Sequence, residues 1–374
     1  MNARVLQNHY DTLVIGAGQG GLAAAYELQR AGLRFLVLDA DARVGDTWRR
    51  RWDSLRLFTP AVSDALPGLP FPAPPRSFPT KEAQADYLEA YAKHFELPVV
   101  SGARVTRVSR SEAGFVVETS VGRFSAAHVI VASGSNARPN LPAAAHELAP
   151  HLKSIHSGQY RRPSDLPAGP VLVVGFGTSG AQIALELCAA GHEVLLSGKP
   201  KPRVPRRFLR IFGALYWLFV YHVLTIDTRL GRKLAPKIVA GGAPLIGIDP
   251  KQVYAAGIEA VGRVTGTDDG RPVVAEGRRL EVASVVWCTG YSPSYEFLDL
   301  PELRFDALGW PRAPYGASPD VPGLYFMGVP YQYGLTSAVI GGAARDARLV
   351  VSRLEEHGKR AATASVRALQ EANS

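Results

Sequence analysis

Cysteine is nearly absent from this 374-residue chain, which holds only Cys188 and Cys288. Two thiols so far apart in sequence build neither a disulfide framework nor a C-x-x-C pair. That excludes a cystine-stapled fold, dithiol redox catalysis and a cysteine-rich zinc site, and no other metal-ligand cluster is read. Lysine is sparse as well, supplying nine of the 42 cationic side chains. No apolar run reaches the roughly 20 residues that a membrane-crossing helix needs. The longest, Ile211–Ile226, is shorter and contains His222, so no stable membrane insertion is expected. A buried helix, a greasy wall beside a channel, and a shallow interfacial contact helped by Arg203, Arg206, Arg207 and Arg210 all stay open. The start, Met1 to Tyr10, lacks the apolar run of a signal peptide, so a reducing, cytoplasmic location is the default expectation.

What is present suits a globular chain of two or three domains. Apolar residues make up 47% and charged residues 20%, enough for a sizeable core and against disorder. The net charge is +9. The basic residues read as scattered and no nucleic-acid-binding motif accompanies them, so a nucleic-acid partner is not expected. A cleft holding anionic phosphates is the preferred account of the charge.

Thr12-Leu13-Val14-Ile15-Gly16-Ala17-Gly18-Gln19-Gly20-Gly21 runs from a β-branched strand into G-x-G-x-x-G. A helix-forming run, Leu22 to Leu28, follows, then Phe35–Leu38 as a second strand ending on Asp39. This is a full dinucleotide fingerprint. Gly16 permits the tight turn, Gly18 lets backbone approach a pyrophosphate, and Gly21 lets helix and strand pack closely. The helix N-terminus offers free N–H groups to phosphate, and Asp39 is placed to accept from ribose hydroxyls.

The signature recurs at Val171–Val174, Gly175, Gly177, Thr178, Ser179 and Gly180, with the helical run Ala181–Leu187 behind it. Its second strand ends on Ser197 instead of an acid, and Lys199, Lys201 and Arg203 come next. A missing acid with nearby cations suits a ribose 2′-phosphate; cations that merely solvate a loop are the alternative.

Two such units imply a doubly represented α/β Rossmann-like fold. Val129–Gly134 and Ser284–Tyr291 both read as buried strands closing on a glycine turn. The economical arrangement is nested, with a first domain from 1–162 and 284–374 and a second inserted at 163–283. Pro163 and Pro167 mark the hinge. Toward the end, Gly323–Gly328 reads as a strand ending in glycine, and a helix is expected to start near Thr336. Such a helix would aim its positive end at an anionic ring edge.

The chain resembles the class B flavoprotein monooxygenases along nearly its whole length. The resemblance is nearest to the plant indole-pyruvate enzymes and to bacterial flavoproteins linked with cation transport. It rests on Gly45-Asp46-Thr47-Trp48-Arg49-Arg50-Arg51-Trp52-Asp53-Ser54-Leu55-Arg56-Leu57, on Phe78-Pro79-Thr80-Lys81 with Tyr87-Leu88, on Cys288-Thr289-Gly290-Tyr291 and on Gly334-Leu335-Thr336-Ser337. Of the family's identifying F-x-G-x-x-x-H-x-x-x-[YFW], His156 and Tyr160 match, while Pro150 and Leu152 stand at the Phe and Gly positions. Thr178 replaces the usual Asn of the second glycine motif, and the Leu57–Pro60 stretch lacks the Asn of animal members.

The resemblance implies FAD on the first fold and NADPH on the second. Hydride passes from NADPH to flavin, and oxygen is then activated as a C4a-(hydro)peroxide that oxygenates a small, hydrophobic organic substrate. It implies cofactor contacts from Gly16, Gly18, Gln19, Gly20, Gly21, Asp39, Trp48, Arg56, Ser133, Gly134, Gly290, Gly328, Leu335 and Thr336 on the flavin side. On the NADPH side it implies Gly175, Gly177, Thr178, Ser179, Gly180, Ser197, Lys199 and Arg203. His156 and Thr59 are the candidate catalytic side chains, with a hinge role as the competing reading of His156. Asp53 and Arg56 are a candidate ion pair bracing the flavin, and Arg49, Arg50 and Arg51 meet either phosphate or solvent. A reductase that passes electrons onward without oxygenating is the alternative function, and a dinucleotide sensor linked to transport a third. A homodimer is a compatible assembly.

Overall fold

The computed structural model describes residues 9–204, 215–241 and 244–372, with side chains as far as Lys359. Arg206, Arg207, Arg210 and Ile211 therefore lie outside the described residues.

The first unit opens with β1 (His9–Ile15), α1 (Gln19–Arg30) and β2 (Phe35–Leu38). Then come α2 (Lys81–His94), the short β3 (Val99–Val100), and the antiparallel β4 (Val105–Ser111), β5 (Gly114–Thr119) and β6 (Gly122–Val131). The second unit holds β7 (Lys153–His156), β8 (Val171–Val174), α3 (Thr178–Ala189) and β9 (Val194–Ser197). Two helices follow, α4 at 215–222 and α5 (Arg229–Gly241), then β10 (Glu259–Val261) and β11 (Ser284–Trp287). The chain closes with β12 (Leu298–Asp299), β13 (Leu324–Phe326) and α6 (Ala343–Ala372).

These strands form an eight-stranded sheet and a five-stranded sheet. In the first, the order is β12-β4-β5-β6-β1-β2-β3. The first half of β6 pairs antiparallel with β5, and its last residues take β13 in parallel, Leu324 opposite Val129. The five-stranded sheet is wholly parallel, in the order β10-β9-β8-β11-β7.

Period-two alternation explains why β1 and β8 sit centrally. Val14 packs toward α1 and α6, while Leu13 and Ile15 join Val108, Phe115 and Phe124 on the other face. Val171 and Val173 pack with Ile183 of α3, while Leu172 and Val174 meet Val285 and Trp287 across the sheet's far face. Strands buried on both faces read as unbroken apolar runs, which is what a parallel sheet between helices requires. Helix α6 returns the chain end to its start: Arg348 bonds Glu27 of α1 at 3.1 Å.

The expected boundaries at 163 and 283 fall within the five-stranded sheet's span, because β7 and β11 both belong to that sheet. β7 is an edge strand with two exposed residues, Lys153 and Ser154, so no apolar pattern announces it. The expected helix at Thr336 is also different. Leu335–Ala338 and Ile340–Gly342 are two 3-10 turns, and the α-helix begins only at Ala343. Gly342 makes the turn between them tight, since a Cβ there would lie 2.0 Å from the Thr336 carbonyl oxygen.

Candidate functional site

At the first glycine loop, Gly16 has φ +105° and a Cβ there would meet the Ala132 carbonyl oxygen at 2.5 Å. A Cβ on Gly21 would lie 1.8 Å from the Gly16 oxygen, so α1 packs on the turn at a distance only glycine permits. Gly18 is different: a Cβ there meets nothing within 4 Å. Gly18 caps a 12-residue helix that has no side-chain cap and no acid in its first turn. Gln19 and Gly20 start that helix, and Gly20 faces Met327 just past β13. Uncapped N–H groups and a positive dipole end beside open space fit the pyrophosphate of a dinucleotide. Ser133 and Gly134 are exposed beside the same turn, and Gly328 lies next to Met327.

Asp39 sits at the end of β2, as the fingerprint requires. Its carboxylate accepts from the Ala17 N–H and from the Asp41 N–H at 2.7 Å. Burial raises its pKa above the usual carboxylate range, and those backbone donors oppose the rise. Asp39 thus also shapes the loop it was expected to serve from outside.

The second loop repeats the geometry. Gly175 has φ +114°, with a Cβ meeting the Cys288 carbonyl oxygen at 2.4 Å, and a Cβ on Gly180 would lie 1.9 Å from the Gly175 oxygen. Gly177 faces open space and starts a helix with no side-chain cap and no acid in its first turn. Thr178 and Ser179 occupy that first turn, and Thr178 Oγ1 reaches the Pro244 carbonyl at 3.5 Å.

Beyond β9 the loops diverge. Ser197 is buried, donating to the Gly262 carbonyl at 2.8 Å and accepting from the Val264 N–H at 3.2 Å, so its hydroxyl fastens the strand end. Lys199 is exposed, and Arg203 pairs with Asp249.

The arginine cluster corrects the sequence reading. Arg49 bonds Glu89 at 2.6 Å, Asp86 at 2.9 Å and Asp46 at 3.3 Å, and Arg50 bonds Asp41 at 2.7 Å. Arg51 stacks on Tyr291 at 5.6 Å. These three answer carboxylates and a ring, not phosphate. Asp53 and Arg56 are not paired either: Asp53 meets Arg162 at 3.0 Å and buried Lys81 at 3.4 Å, and Arg56 donates to the Phe78 carbonyl at 3.2 Å. Trp48 is half-buried against the core of the first unit.

His156 ends β7 beside the loop that follows β11. Its Nδ1 accepts from the Gly158 N–H at 3.2 Å, which leaves Nε2–H to donate to the Gly290 carbonyl at 3.0 Å. Its ring meets Tyr291 edge-on at 4.7 Å. Burial pulls its pKa below the ordinary histidine value. With both nitrogens engaged by backbone, His156 is a neutral clamp at the hinge and not a free base. Buried Tyr160 similarly donates to Glu186 at 3.0 Å.

Sequence reasoning missed two features. The first is Asp64, which is wholly buried and accepts the Thr59 hydroxyl, while its Oδ2 has no partner. Burial pushes its pKa up to about 7. Thr59 is therefore tied to a carboxyl group. The second is Arg345, which lies over Tyr333 at 4.1 Å and Tyr221 at 4.4 Å and donates to Thr336 Oγ1 at 2.9 Å. It clasps the end of α4 to the 3-10 turn holding Leu335 and Thr336. The Leu335 N–H donates to Leu224 at 2.9 Å and the Ile226 N–H to Tyr333 at 2.8 Å, closing the same seam. No local pattern signals Arg345, because Tyr221, Tyr333 and Thr336 converge on it only in the fold.

Comparison with known proteins fixes the family. The family described as pyridine nucleotide-disulphide oxidoreductase matches residues 13–207. An uncharacterized CzcO-like oxidoreductase of Geobacillus kaustophilus is 36% identical, over 94% of this chain and all of the relative. The chain belongs to this oxidoreductase family. It is also 30% identical to a probable indole-3-pyruvate monooxygenase, YUCCA7 of Arabidopsis thaliana, over 90% of this chain and 86% of that one. A solved flavin-containing monooxygenase from Stenotrophomonas maltophilia superposes with a TM-score of 0.75 at 28% identity, covering 94% and 99% of the two chains. FAD and NADP are the cofactors of this fold, and the two glycine cradles fit them. Dithiol chemistry, which the family's name includes, finds no support in the thiols. Burial pushes Cys288 up to about 12, and Cys188 donates to the Ala256 carbonyl at 3.0 Å. Among the described residues, no helix is long and apolar enough to cross a membrane.

Proposed function

We propose that this flavin-dependent oxidoreductase is an NADPH-dependent monooxygenase acting on a small, apolar organic substrate. The carrying observation is the pair of cradles at Gly18 and Gly177, each open beyond an uncapped helix. Bound FAD supplies hydride acceptance and oxygen activation there; the chain supplies placement, charge and dryness. Gly18 and the α1 N-terminus hold the FAD pyrophosphate, with Asp39 at the ribose. Gly177 and the α3 N-terminus hold the NADPH pyrophosphate, with Lys199 and Arg203 turned to the 2′-phosphate after Arg203 loosens from Asp249. Ser197 supports this side only as the fastener of β9.

The seam above Leu335 supports an apolar substrate class. Tyr221, Leu224 and Tyr333 border it, and Arg345 is spent on their rings. An apolar or aromatic compound meets that wall at least desolvation cost. Buried Asp64, accepting from the Thr59 hydroxyl, holds a proton in this reading.

The test supplies purified enzyme with NADPH, ¹⁸O-labelled oxygen and a panel of apolar amines, sulfides and ketones. One labelled oxygen in the product per NADPH consumed is expected for at least one class. Hydrogen peroxide matching NADPH throughout, with no labelled product, supports the electron-passing reductase instead.

A further inference from the structure

The positive charge of the chain is not scattered. Between Gly198 and Gly247 lie Lys199, Lys201, Arg203, Arg206, Arg207, Arg210, Arg229, Arg232, Lys233 and Lys237, against Asp227 as the only acid. That excess accounts for the whole net charge of +9, and the rest of the chain is balanced. One dinucleotide phosphate does not need so many cations. With Lys199 and Arg203 assigned to it, most of the cluster has no task in the proposed reaction.

The same stretch exposes large apolar side chains. On α4, Leu215 is 64% exposed, Leu218 56% and Phe219 42%, and their i, i+3, i+4 spacing sets them on one face. Leu230, at the start of α5, is 43% exposed. Of the described cations, Arg229, Lys233 and Lys237 are exposed on α5. The two helices are held as a unit: a Cβ on Gly231 would lie 2.0 Å from the Thr225 oxygen, and Arg232 donates to the Ile226 carbonyl at 2.5 Å. The opposite side of α4 is anchored, with Val220 and Leu224 buried and Arg345 donating to the Tyr221 carbonyl at 3.0 Å. The apolar face is thus presented outward by a docked element whose partner helix α5 carries exposed cations.

We infer that α4 and the start of α5 form an interfacial docking surface for an anionic phospholipid bilayer. Leu215, Leu218, Phe219 and Leu230 enter the headgroup–acyl boundary, and the α5 cations meet lipid phosphates. A short apolar face with a basic surround lies in the interface without crossing it. A polyanion such as nucleic acid would use the charge and leave the apolar face without purpose. A second copy of this chain would bring a like-charged surface against its own. The surface stands independently of the monooxygenase reading.

Co-sedimentation of the full FAD-loaded protein with vesicles tests it. Vesicles of phosphatidylcholine with about a third phosphatidylglycerol are compared with pure phosphatidylcholine, at low salt and at high salt. Expected is binding to the anionic vesicles that falls at least tenfold on pure phosphatidylcholine. A Leu215→Glu/Leu218→Glu/Phe219→Glu variant should lose a further order of magnitude or more on the anionic vesicles. A Lys233→Gln/Lys237→Gln variant should lose several-fold and show a shallower salt dependence. Both should keep flavin and NADPH oxidation, which certifies their fold. Three results overturn the inference. One is no vesicle binding by a folded, flavin-loaded protein. Another is anionic binding unaffected by the three glutamates, with equal binding to single-stranded RNA. The last is a dimer that the three glutamates dissociate, with no lipid binding.

Discussion

The two glycine loops are near copies, and their difference lies just beyond the copied part. Gly16 and Gly175 take the same left-handed turn, and Gly21 and Gly180 would each drive a Cβ to within 2 Å of the turn's own oxygen. Gly18 and Gly177 both face open space. The second strand then ends on Asp39 in one unit and on Ser197 in the other. Asp39 turns its carboxylate to the loop it follows, whereas Ser197 turns away to Gly262 and Val264. Lys199, Lys201 and Arg203 follow the second within six residues, whereas Asp41 is the first charge after the other. On the proposed reading, the shared turn seats a pyrophosphate in each unit and the residues after the second strand choose the dinucleotide.

The largest effects should come from breaking the turn in either copy. Gly21→Leu puts a side chain into the Gly16 carbonyl and should leave the first unit unfolded, with colourless or insoluble protein. Gly180→Leu makes the same clash in the inserted unit. It should leave yellow protein that NADPH no longer reduces, read by absorbance under anaerobic conditions. Equal loss of flavin from both would erase the assignment of one cofactor to each loop.

Gly18→Val and Gly177→Val make a finer cut, because a Cβ there meets no protein atom. Both proteins should fold with melting temperatures near the apo parent's. The first should lose FAD and the second should lose NADPH affinity. A Gly18→Val protein purified fully yellow would contradict the pyrophosphate assignment. Next in size, Lys199→Ala/Arg203→Ala should raise the NADPH KM by about tenfold, the scale of charge-assisted hydrogen bonds of ~1.5–3 kcal/mol, and spare the NADH KM. Equal changes for both cofactors would remove the 2′-phosphate argument.

Smallest are two pH effects of opposite sign, both in the first unit. Burial, then the neighbouring His357, pulls His128 down to about 4. The unfolded chain then takes up a proton that the folded one refuses, so stability falls as pH drops from about 6.5 toward about 4. His128→Leu should flatten that slope in thermal melts. Asp64 is raised to about 7, so it opposes folding as pH climbs from about 4 through about 7. Asp64→Asn should flatten that loss of stability with rising pH, leaving the acid limb intact. Unchanged slopes in these variants would place the titrations elsewhere.

Both loops, their strands and helices were legible because each local requirement is strict: an apolar run, three glycines and a helix start. The return of the chain end to its start was also expected, and β13 pairs with β6 while α6 packs on α1. What was hidden depends on distant partners. Arg49, Arg50 and Arg51 left phosphate and solvent equally open, yet Asp86, Glu89, Asp41 and Tyr291 claim them through the fold. Asp53 and Arg56 have helical spacing but no helix beneath them, so they diverge to Lys81, Arg162 and Phe78. For His156 the sequence left a base and a hinge role open, and the bonds to Gly158 and Gly290 favour the hinge. Asp64 was passed over because nothing in Thr59–Asp64 tells that both residues are buried.

The measurement closest to the central claim is anaerobic reduction of the flavin by NADPH, followed by rapid mixing with oxygenated buffer while the flavin spectrum is recorded. A monooxygenase built from these two cradles should be reduced promptly, more so by NADPH than by NADH. It should then show a single absorption band, blue-shifted from oxidised flavin, that persists until substrate is added. Direct return to the two-banded oxidised spectrum would contradict oxygenation and leave a reductase in its place.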